Sequence, residues 1–340
     1  MDTDMQMEQE VHAGDQENGA VQQPQALDGV EFGIGTWAWG DRLYWGFGRG
    51  YQEADIKDAF QWLLNCGIRF FDTAEVYGQG KSEEMLGRFI AETDQPVQVA
   101  TKFMPLPWRL SRKALLRALR NSLKRLGLTS VDLYQMHMPL PPVTVETWMA
   151  AMAEAVQDGL VRAVGVSNYG RVQMQRAYDA LASEGINLAA NQVEYHLLNR
   201  SAETSGLLKL GQELGVRMIA YSPLASGVLT GKYTPEKPLQ GMRANRYSRA
   251  TLAKIQPLIR LMQKIGGEHE GKTPSQVALN WVMCKGMIPI PGVKTLEQAQ
   301  DNLGGLGWRL SDAEVARLDD ASEAVTEKVE KRDSVEDISV

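Results

Sequence analysis

The sequence contains few of the residues that form disulfides or hold metal ions. It has two cysteines and four histidines in 340 residues. Cys66 and Cys284 are far apart and lie in helix-like segments, which predicts buried thiols in a reducing compartment rather than a disulfide framework. The histidines show no spacing typical of metal ligands, so we expect no dedicated metal site.

Long apolar runs and an excess of positive charge are also missing. No run approaches the ~20 apolar residues that a membrane helix requires. The formal net charge of −6 provides no electrostatic footprint for nucleic acid or an anionic membrane. The contents of 44% hydrophobic and 23% charged residues are those of a soluble globular protein. We therefore expect a cytoplasmic protein that binds neither nucleic acid nor membrane.

Lysine and arginine are absent from the start of the chain. Met1–Asp41 contains nine Asp or Glu residues and neither Lys nor Arg. Secretory signals and organellar transit peptides carry basic residues, so we expect neither here. Residues 1–28 are also poor in large apolar side chains, which predicts a disordered acidic tail. The predicted domain is 29–325, followed by a charged C-terminal segment, 326–340.

Strand-like and helix-like patterns alternate through the predicted domain. The strand-like stretches are Glu31–Thr36, Ile68–Asp72, Val97–Lys102, Val131–His137, Val161–Ser167, Leu188–Gln192, Val216–Tyr221 and Met287–Ile290. The stretch Ser222–Ser248 interrupts the alternation, and loops of such length are usually functional or disordered. Eight strands alternating with helices predict a single (β/α)8 TIM barrel, with a doubly wound sheet as the alternative.

One motif favours the doubly wound alternative. Gly33–Ala38 reads G-x-G-x-x-A after a strand, with acidic residues about 20 positions later. A dinucleotide fingerprint of this kind needs a helix directly after it, to receive the pyrophosphate. Here a Gly-rich and aromatic run follows, and no helical pattern begins before about Glu53. We therefore interpret the motif as a barrel loop over an active site.

Polar side chains end most of the predicted strands. They are Asp72, Lys102, His137, Ser167 with Asn168, Gln192 and Tyr221. Because all strands of a barrel are parallel, these side chains gather at one mouth, where such enzymes keep their active sites. Tyr77 follows Asp72 by five residues, in a short turn closed by Gly78.

This set of side chains favours proton transfer to a developing alkoxide. A buried carboxylate needs a cationic partner, and a phenol needs a nearby cation to donate a proton near pH 7. Lys102 can serve both Asp72 and Tyr77. Since no side chain supplies a hydride, a bound cofactor would have to do so.

Asp72, Tyr77, Lys102 and His137 resemble the catalytic tetrad of the aldo-keto reductases, and the likeness covers roughly Phe32 to Ser322. It implies NADPH-dependent reduction of an aldehyde or ketone to an alcohol. Tyr77 would be the general acid, and Lys102 would lower its pKa. Asp72 would hold Lys102, and His137 would orient the carbonyl.

The resemblance also implies a binding site for NADPH. Ser167, Asn168 and Gln192 would bind the nicotinamide amide, Tyr221 would stack on its ring, and Ser222–Lys232 would fold over the pyrophosphate. The stretch Ile290–Asn302 resembles the adenosine-phosphate site. The cofactor residues implied in this way are Gly35, Thr36, Trp37, Asp72, Ser167, Asn168, Gln192, Tyr221, Ser222, Pro223, Leu224, Gly227, Leu229, Lys232, Gly292, Lys294, Thr295, Gln298 and Asn302.

Two stretches depart from the usual family pattern. Gln298 stands where many aldo-keto reductases carry Arg, which weakens the expected preference for NADPH. Lys294 and Thr295 at a helix N-terminus still suit a 2′-phosphate. Met138–Pro142 differs from the common versions, so the resemblance assigns no substrate to that wall of the pocket.

Two other functions stay open at this stage. Asp72–Tyr77 also resembles the β-subunits of voltage-gated potassium channels, which implies a cofactor-binding regulatory subunit as one alternative. A Schiff-base lyase with Lys102 as nucleophile is the other, although a carboxylate beside the lysine argues against it. Plant pyridoxal reductases are among the similar members of the family, so pyridoxal belongs in any panel of test aldehydes.

Overall fold

The structure, a computed structural model, describes residues 27–336 and the side chains of residues 27–325. The predicted acidic tail, residues 1–28, lies almost entirely outside the described residues. The side chains of the charged segment 326–340 also lie outside them. The predicted domain, 29–325, is described throughout.

Within residues 27–336, eight short strands alternate with helices. The strands are β1 (Gly33–Gly35), β2 (Phe70–Asp72), β3 (Gln98–Phe103), β4 (Val131–Met136), β5 (Val161–Ser167), β6 (Leu188–Glu194), β7 (Arg217–Tyr221) and β8 (Ile288–Ile290). The helices are α1 (Glu53–Asn65), α2 (Lys81–Ala91), α3 (Arg112–Leu126), α4 (Val145–Gln157), α5 (Arg171–Ala182), α6 (Ser201–Thr204), α7 (Leu207–Glu213), α8 (Arg249–Glu268), α9 (Pro274–Cys284), α10 (Leu296–Leu303) and α11 (Asp312–Glu336). Three short 3-10 helices are Tyr77–Gly80, Ala225–Thr230 and Gly241–Asn245.

All eight strands belong to one parallel sheet in sequence order. A parallel bridge joins Gly35 of β1 to Gly292, two residues after β8, which brings the sheet close to a full barrel. No helix begins between β1 and Glu53. The predicted (β/α)8 barrel is confirmed, and the doubly wound alternative is wrong.

The alternation of side chains along each strand separates two hydrophobic cores. The larger core lies between the sheet and the helices and includes Phe71. The smaller core fills the barrel, and its members include Phe70, Ala100, Leu133 and Ala190. Since successive side chains of a strand point to opposite faces, the residues two positions later face the barrel interior as well. Those residues are Asp72, Lys102, Gln135 and Gln192, so a polar layer lies above the apolar one.

The prediction that both cysteines are buried thiols is wrong for Cys66. Both cysteines are free, but Cys66 is exposed and Cys284 is half-buried. Cys66 caps the end of α1 rather than lying within it, so its side chain reaches solvent. None of the helices within residues 27–336 has the length and apolar content that a membrane span requires.

Two adjacent glycines near the end of α8 provide a stability test. A Cβ at Gly266 would lie 1.9 Å from the backbone oxygen of Lys272, whereas nothing lies within 4 Å of one at Gly267. Gly266→Ala should lower the free energy of unfolding by about 1–3 kcal/mol. Gly267→Ala should raise it by up to about 1 kcal/mol. Urea unfolding of both variants checks this, and equal effects would contradict it.

Candidate active site

A buried ion pair between β2 and β3 lies at the centre of the candidate site. The side chains of Lys102 and Asp72 are 0% and 2% exposed. The Lys102 ammonium donates to the Asp72 carboxylate, to the Thr73 carbonyl oxygen at 2.8 Å and to the Tyr77 hydroxyl at 3.4 Å. All three ammonium hydrogens therefore have an acceptor, which a buried lysine needs in order to keep its charge.

The second oxygen of Asp72 accepts hydrogen bonds from two buried amides. Gln135 Nε2 lies at 3.0 Å and Gln192 Nε2 at 2.8 Å, and Gln192 Nε2 is also 3.3 Å from Gln135 Oε1. These bonds hold the carboxylate in one orientation toward Lys102. Sequence reasoning missed Gln135. The signal was present, because Gln135 lies two residues before His137 and alternates inward with Leu133.

Tyr77 follows the strand end in a 3-10 turn and places its ring against Lys102. The Lys102 Nζ atom lies 5.0 Å from the ring centroid. Burial raises the pKa of Tyr77 well above its ordinary value, and Asp72 raises it further. The phenol therefore holds its proton at neutral pH, as a proton donor must. The lowering of this pKa by Lys102, which the resemblance implied, stays a prediction for the reacting state.

Burial also affects the lysine. It lowers the pKa of Lys102, and Asp72 and Glu83 act in the opposite direction. An amine committed to a carboxylate in this way has no free lone pair. A nucleophilic role for Lys102 therefore has no support in this geometry.

His137 faces Tyr77 from the end of β4. The two rings are edge to face, with their centroids 5.8 Å apart. Burial, with Lys102 adding to it, lowers the pKa of His137 to about 3, so the ring is neutral. Nδ1 is buried and has no hydrogen-bond partner among the described residues. Because an orphaned buried N–H is rarer than an orphaned acceptor, we assign the proton to Nε2.

Aromatic rings from the segment after β1 stand beside the Tyr77 ring. Trp37 stacks on Tyr44 with ring centroids 4.8 Å apart, and it lies 6.1 Å from the Tyr77 ring. Trp37 is 37% exposed, so part of its surface is open to a ligand. Sequence reasoning assigned Trp37 to the cofactor and missed Tyr44, since nothing in a loop sequence predicts which rings will stack.

The four residues expected at the nicotinamide lie together along β5, β6 and β7. Ser167 Oγ donates to the Gln192 carbonyl oxygen at 2.9 Å. Asn168 Nδ2 donates to the His137 carbonyl oxygen at 3.1 Å, and Tyr221 O–H donates to Asn168 Oδ1 at 2.9 Å. These bonds connect the expected nicotinamide residues to the tetrad. The Gln192 amide nitrogen is already used on Asp72, which leaves its Oε1 atom for a ligand.

Three cations surround Trp45 and its neighbours between the loops after β1, β7 and β8. Lys294 Nζ lies 4.6 Å from the Trp45 ring and 5.0 Å from the Tyr51 ring. Arg243 lies 5.4 Å from Trp45, and Lys232 lies over Tyr233. In residues 27–325 none of the three cations forms an ion pair. Such a cluster fits the phosphates of a dinucleotide.

The electrostatics of this cluster also indicate an anion site. Burial, with Arg243 and Lys232 adding to it, lowers the pKa of Lys294 to about 8. The buried Trp45 Nε1–H has no acceptor among the described residues. Sequence reasoning identified Lys232 and Lys294 but missed Trp45 and Arg243, which lie in loops without regular periodicity.

The other expected cofactor residues lie at the start of α10, in the loop after β7 or beneath the surface of the cleft. Thr295 caps α10 by accepting from the Gln298 N–H at 3.4 Å, and Gln298 Oε1 accepts from the Lys294 N–H at 3.0 Å. Asn302 donates to the Gly292 carbonyl oxygen. The side chains of Thr36 and Leu229 are fully buried, so they lie beneath the surface that a cofactor would contact. The loop after β7 contains Ser222, Pro223, Leu224 and Gly227. Gly35 forms a bridge with Gly292 where the barrel closes.

The neutral state of His137 has a consequence for stability at low pH. Its pKa is about 3 in the folded protein and near 6.5 in an unfolded chain. The unfolded chain therefore binds more protons below pH 6.5, and stability falls on acidification from that value. The His137→Gln variant should lose stability less steeply between pH 6.5 and 4, as measured by urea unfolding. Parallel curves for the two proteins would contradict this.

Comparison with known proteins agrees with this geometry. The profile of the Aldo/keto reductase family matches residues 31–323. The chain is 40% identical over 303 residues to a chloroplastic pyridoxal reductase of Arabidopsis thaliana, covering 85% of this chain and 82% of that protein. It is 33% identical over 295 residues to the L-glyceraldehyde 3-phosphate reductase of Escherichia coli K12, covering 79% and 82%.

A solved structure shows the same likeness. The aldo/keto reductase of Klebsiella pneumoniae in complex with NADP and acetate superposes with a TM-score of 0.68 at 30% identity, covering 85% of this chain and 90% of that one. The family match therefore spans nearly all of the described barrel, and the chain belongs to the aldo/keto reductase family.

Proposed function

We propose that the protein reduces an aldehyde or ketone to an alcohol with NADPH as the hydride source and Tyr77 as the general acid. The observation that carries the proposal is the hydrogen-bonded group of Asp72, Lys102 and Tyr77, in which a protonated phenol stands next to a buried cation. The family and the reductases among its relatives support the reaction class.

The residues of the mouth divide the work of proton transfer. The bound cofactor supplies the hydride. His137 Nε2–H donates to the carbonyl oxygen and orients it, and Tyr77 delivers the proton to that oxygen. Lys102 stabilises the negative charge left on the phenol, and Asp72 keeps Lys102 charged and in place.

The cation cluster at Trp45 supports a phosphorylated dinucleotide as cofactor. Lys232, Arg243 and Lys294 offer three charges, and Trp45 Nε1 offers one more donor, so more than one phosphate can be neutralised. A relative was solved with NADP bound. A contact between Lys294 and the 2′-phosphate would produce the preference for NADPH over NADH.

A flat aldehyde suits the rings beside Tyr77. Trp37 and Tyr77 are nearly parallel, with an interplanar angle of 29°, and a planar substrate can stack against such a surface. One relative is named as a pyridoxal reductase, so pyridoxal is the first substrate to test. NADPH oxidation should be measured with pyridoxal, an aliphatic aldehyde and a sugar aldehyde. Absence of turnover with all three, despite tight NADPH binding, would favour the regulatory-subunit alternative.

The cellular location stays a proposal. The expected cytoplasmic location rests on the composition of the chain, and one relative is named as chloroplastic. A fluorescent fusion of the full chain would decide between the two compartments.

The role of Tyr77 can be tested by removing one hydroxyl group. Tyr77→Phe should lower the turnover number by about 10²–10⁴-fold, because that is the usual contribution of a general acid. The dissociation constant for NADPH should stay within about twofold of wild type. Tyr178→Phe, on the outer helix α5, is the matched control and should keep its turnover. Near wild-type turnover of Tyr77→Phe would overturn the assignment.

The cofactor preference can be tested at Lys294. A charge-assisted contact is worth about 1.5–3 kcal/mol, so Lys294→Ala should weaken NADPH binding by roughly 10- to 150-fold and leave NADH binding almost unchanged. In the wild type, NADPH affinity should also fall as the pH rises above about 8, where the free Lys294 loses its proton.

These affinities can be read from quenching of tryptophan fluorescence at one fixed salt concentration, because the contact is ionic. Lys272→Ala is the control, since Lys272 also lies over an indole ring, that of Trp308. Equal losses for NADPH and NADH would mean that Lys294 supports the fold rather than the phosphate.

A further inference from the structure

The turn that carries Tyr77 has an unfavourable backbone conformation. Gly78, Gln79 and Gly80 all have positive φ, at 56°, 59° and 92°. A non-glycine residue such as Gln79 rarely adopts this region, and it persists only where surrounding contacts enforce it. The contacts that enforce this turn therefore also determine where the Tyr77 hydroxyl lies.

One such contact lies two residues before Tyr77. Glu75 accepts a hydrogen bond from the Met104 N–H at 2.8 Å, and its other oxygen accepts from Arg109 Nη2 at 2.9 Å. The Glu75 side chain is 8% exposed. The Arg109 guanidinium in turn lies 4.7 Å from the ring of Phe103, the last residue of β3. Glu75 thus ties the start of the Tyr77 turn to the loop after β3.

A second contact lies six residues after Tyr77. Glu83 is completely buried, and it accepts from Thr101 Oγ1 at 2.5 Å and from Arg125 Nε at 2.7 Å. Thr101 directly precedes Lys102 in β3. The Arg125 side chain also covers the turn itself, since a Cβ at Gly80 would lie 2.8 Å from Arg125 Cδ. Glu83 thus ties the end of the turn to β3 and α3.

Both ion pairs join the same two units of the barrel. Glu75 lies between β2 and α2, and Glu83 lies in the first turn of α2. Their partners belong to the β3–α3 unit that provides Lys102. Both also lie near the buried Tyr134 of β4, whose pKa all four charges influence. A turn held at both ends to the strand of Lys102 cannot move Tyr77 without breaking one of the pairs.

We propose that Glu75–Arg109 and Glu83–Arg125 are positioning pairs that hold the Tyr77 hydroxyl beside Lys102. The inference rests on the proposed role of Tyr77 as general acid. Among the described residues, neither pair forms a hydrogen bond with a tetrad side chain, so we expect their effect to be on the geometry of proton transfer. Misplacement of a reacting group by about 1 Å can lower a rate by about 10²-fold.

The test uses substitutions that keep shape and remove charge. Glu75→Gln and Glu83→Gln should each lower the turnover number by about 10- to 100-fold, while the dissociation constant for NADPH stays within about twofold. Arg109→Lys keeps the charge and should recover much of the loss seen in Arg109→Gln. If Glu83→Gln does not fold, the Glu75 and Arg109 variants carry the test.

A control separates positioning from general loss of stability. Glu203 accepts from Arg200 and Lys285 in a half-buried cluster on the outer helices, and none of these partners belongs to the candidate site. Glu203→Gln should lower the melting temperature and leave turnover unchanged. Wild-type turnover in folded Glu75→Gln, or an equal loss of turnover in Glu203→Gln, would overturn the proposal.

Two further measurements keep this proposal distinct from the proposed function. Tyr77→Phe is assayed in parallel, and a fully active Tyr77→Phe would overturn the role of Tyr77 itself. Amide hydrogen exchange of Tyr77–Lys81 needs no substrate. Faster exchange there in Glu75→Gln than in Glu203→Gln supports the positioning pairs even if no tested carbonyl is reduced, and unchanged exchange overturns them.

Discussion

The buried ion pair between Lys102 and Asp72 is the interaction on which the rest of the site depends. Two charges removed from water are costly, and their attraction compensates only if the remaining hydrogen-bonding groups are also satisfied. Here Thr73 and Tyr77 accept the remaining hydrogen bonds of the Lys102 ammonium. Gln135 and Gln192 donate hydrogen bonds to the second oxygen of the Asp72 carboxylate. Loss of one partner from a buried pair typically costs about 3–5 kcal/mol, so this arrangement also constrains the fold around it.

The barrel makes this arrangement possible through the two-residue repeat of its strands. Phe70 and Leu133 belong to the apolar layer inside the barrel, and Asp72 and Gln135 lie two residues further along the same strands. Each polar side chain therefore rests on a packed apolar one. The layer below excludes water, which strengthens the attraction between Lys102 and Asp72 and raises the pKa of Tyr77. The strand repeat that packs the barrel interior therefore also creates the environment of the ion pair and of Tyr77.

The alternation of strand-like and helix-like patterns predicted the barrel. The strand-terminal positions of Asp72, Lys102 and Gln192 predicted that these residues would meet, because strand ends of a parallel sheet share one face. The two-residue repeat, applied inside β4, further predicts an inward Gln135, which the strand-terminal residues alone do not reveal. Arg243, Trp45 and Tyr44 had no such signal. Their positions depend on loop conformations that no residue spacing determines.

Most of the residues with a strained backbone lie at the mouth of the barrel. Among the described residues, the non-glycine positions with positive φ are Gln79, Asn168, Ser222, Ala225, Ser226 and Glu270. All but Glu270 lie directly after strands β2, β5 and β7, next to the tetrad and the expected cofactor residues. Each such residue costs about 1–3 kcal/mol and persists because its surroundings allow no alternative.

The two strained regions are held by different means. At Tyr77 the proposed positioning pairs Glu75–Arg109 and Glu83–Arg125 join the turn to the β3–α3 unit. After β7, backbone hydrogen bonds hold the strained residues, from the Ala225 N–H to the Ser222 carbonyl oxygen at 2.8 Å and from the Gly227 N–H to the Leu224 carbonyl oxygen at 2.9 Å. The side of the mouth proposed to donate the proton is thus held by charged side chains. The side expected to receive the phosphates is held by its backbone and by the burial of Ala225 and Leu229, which leaves its cations for an anionic ligand.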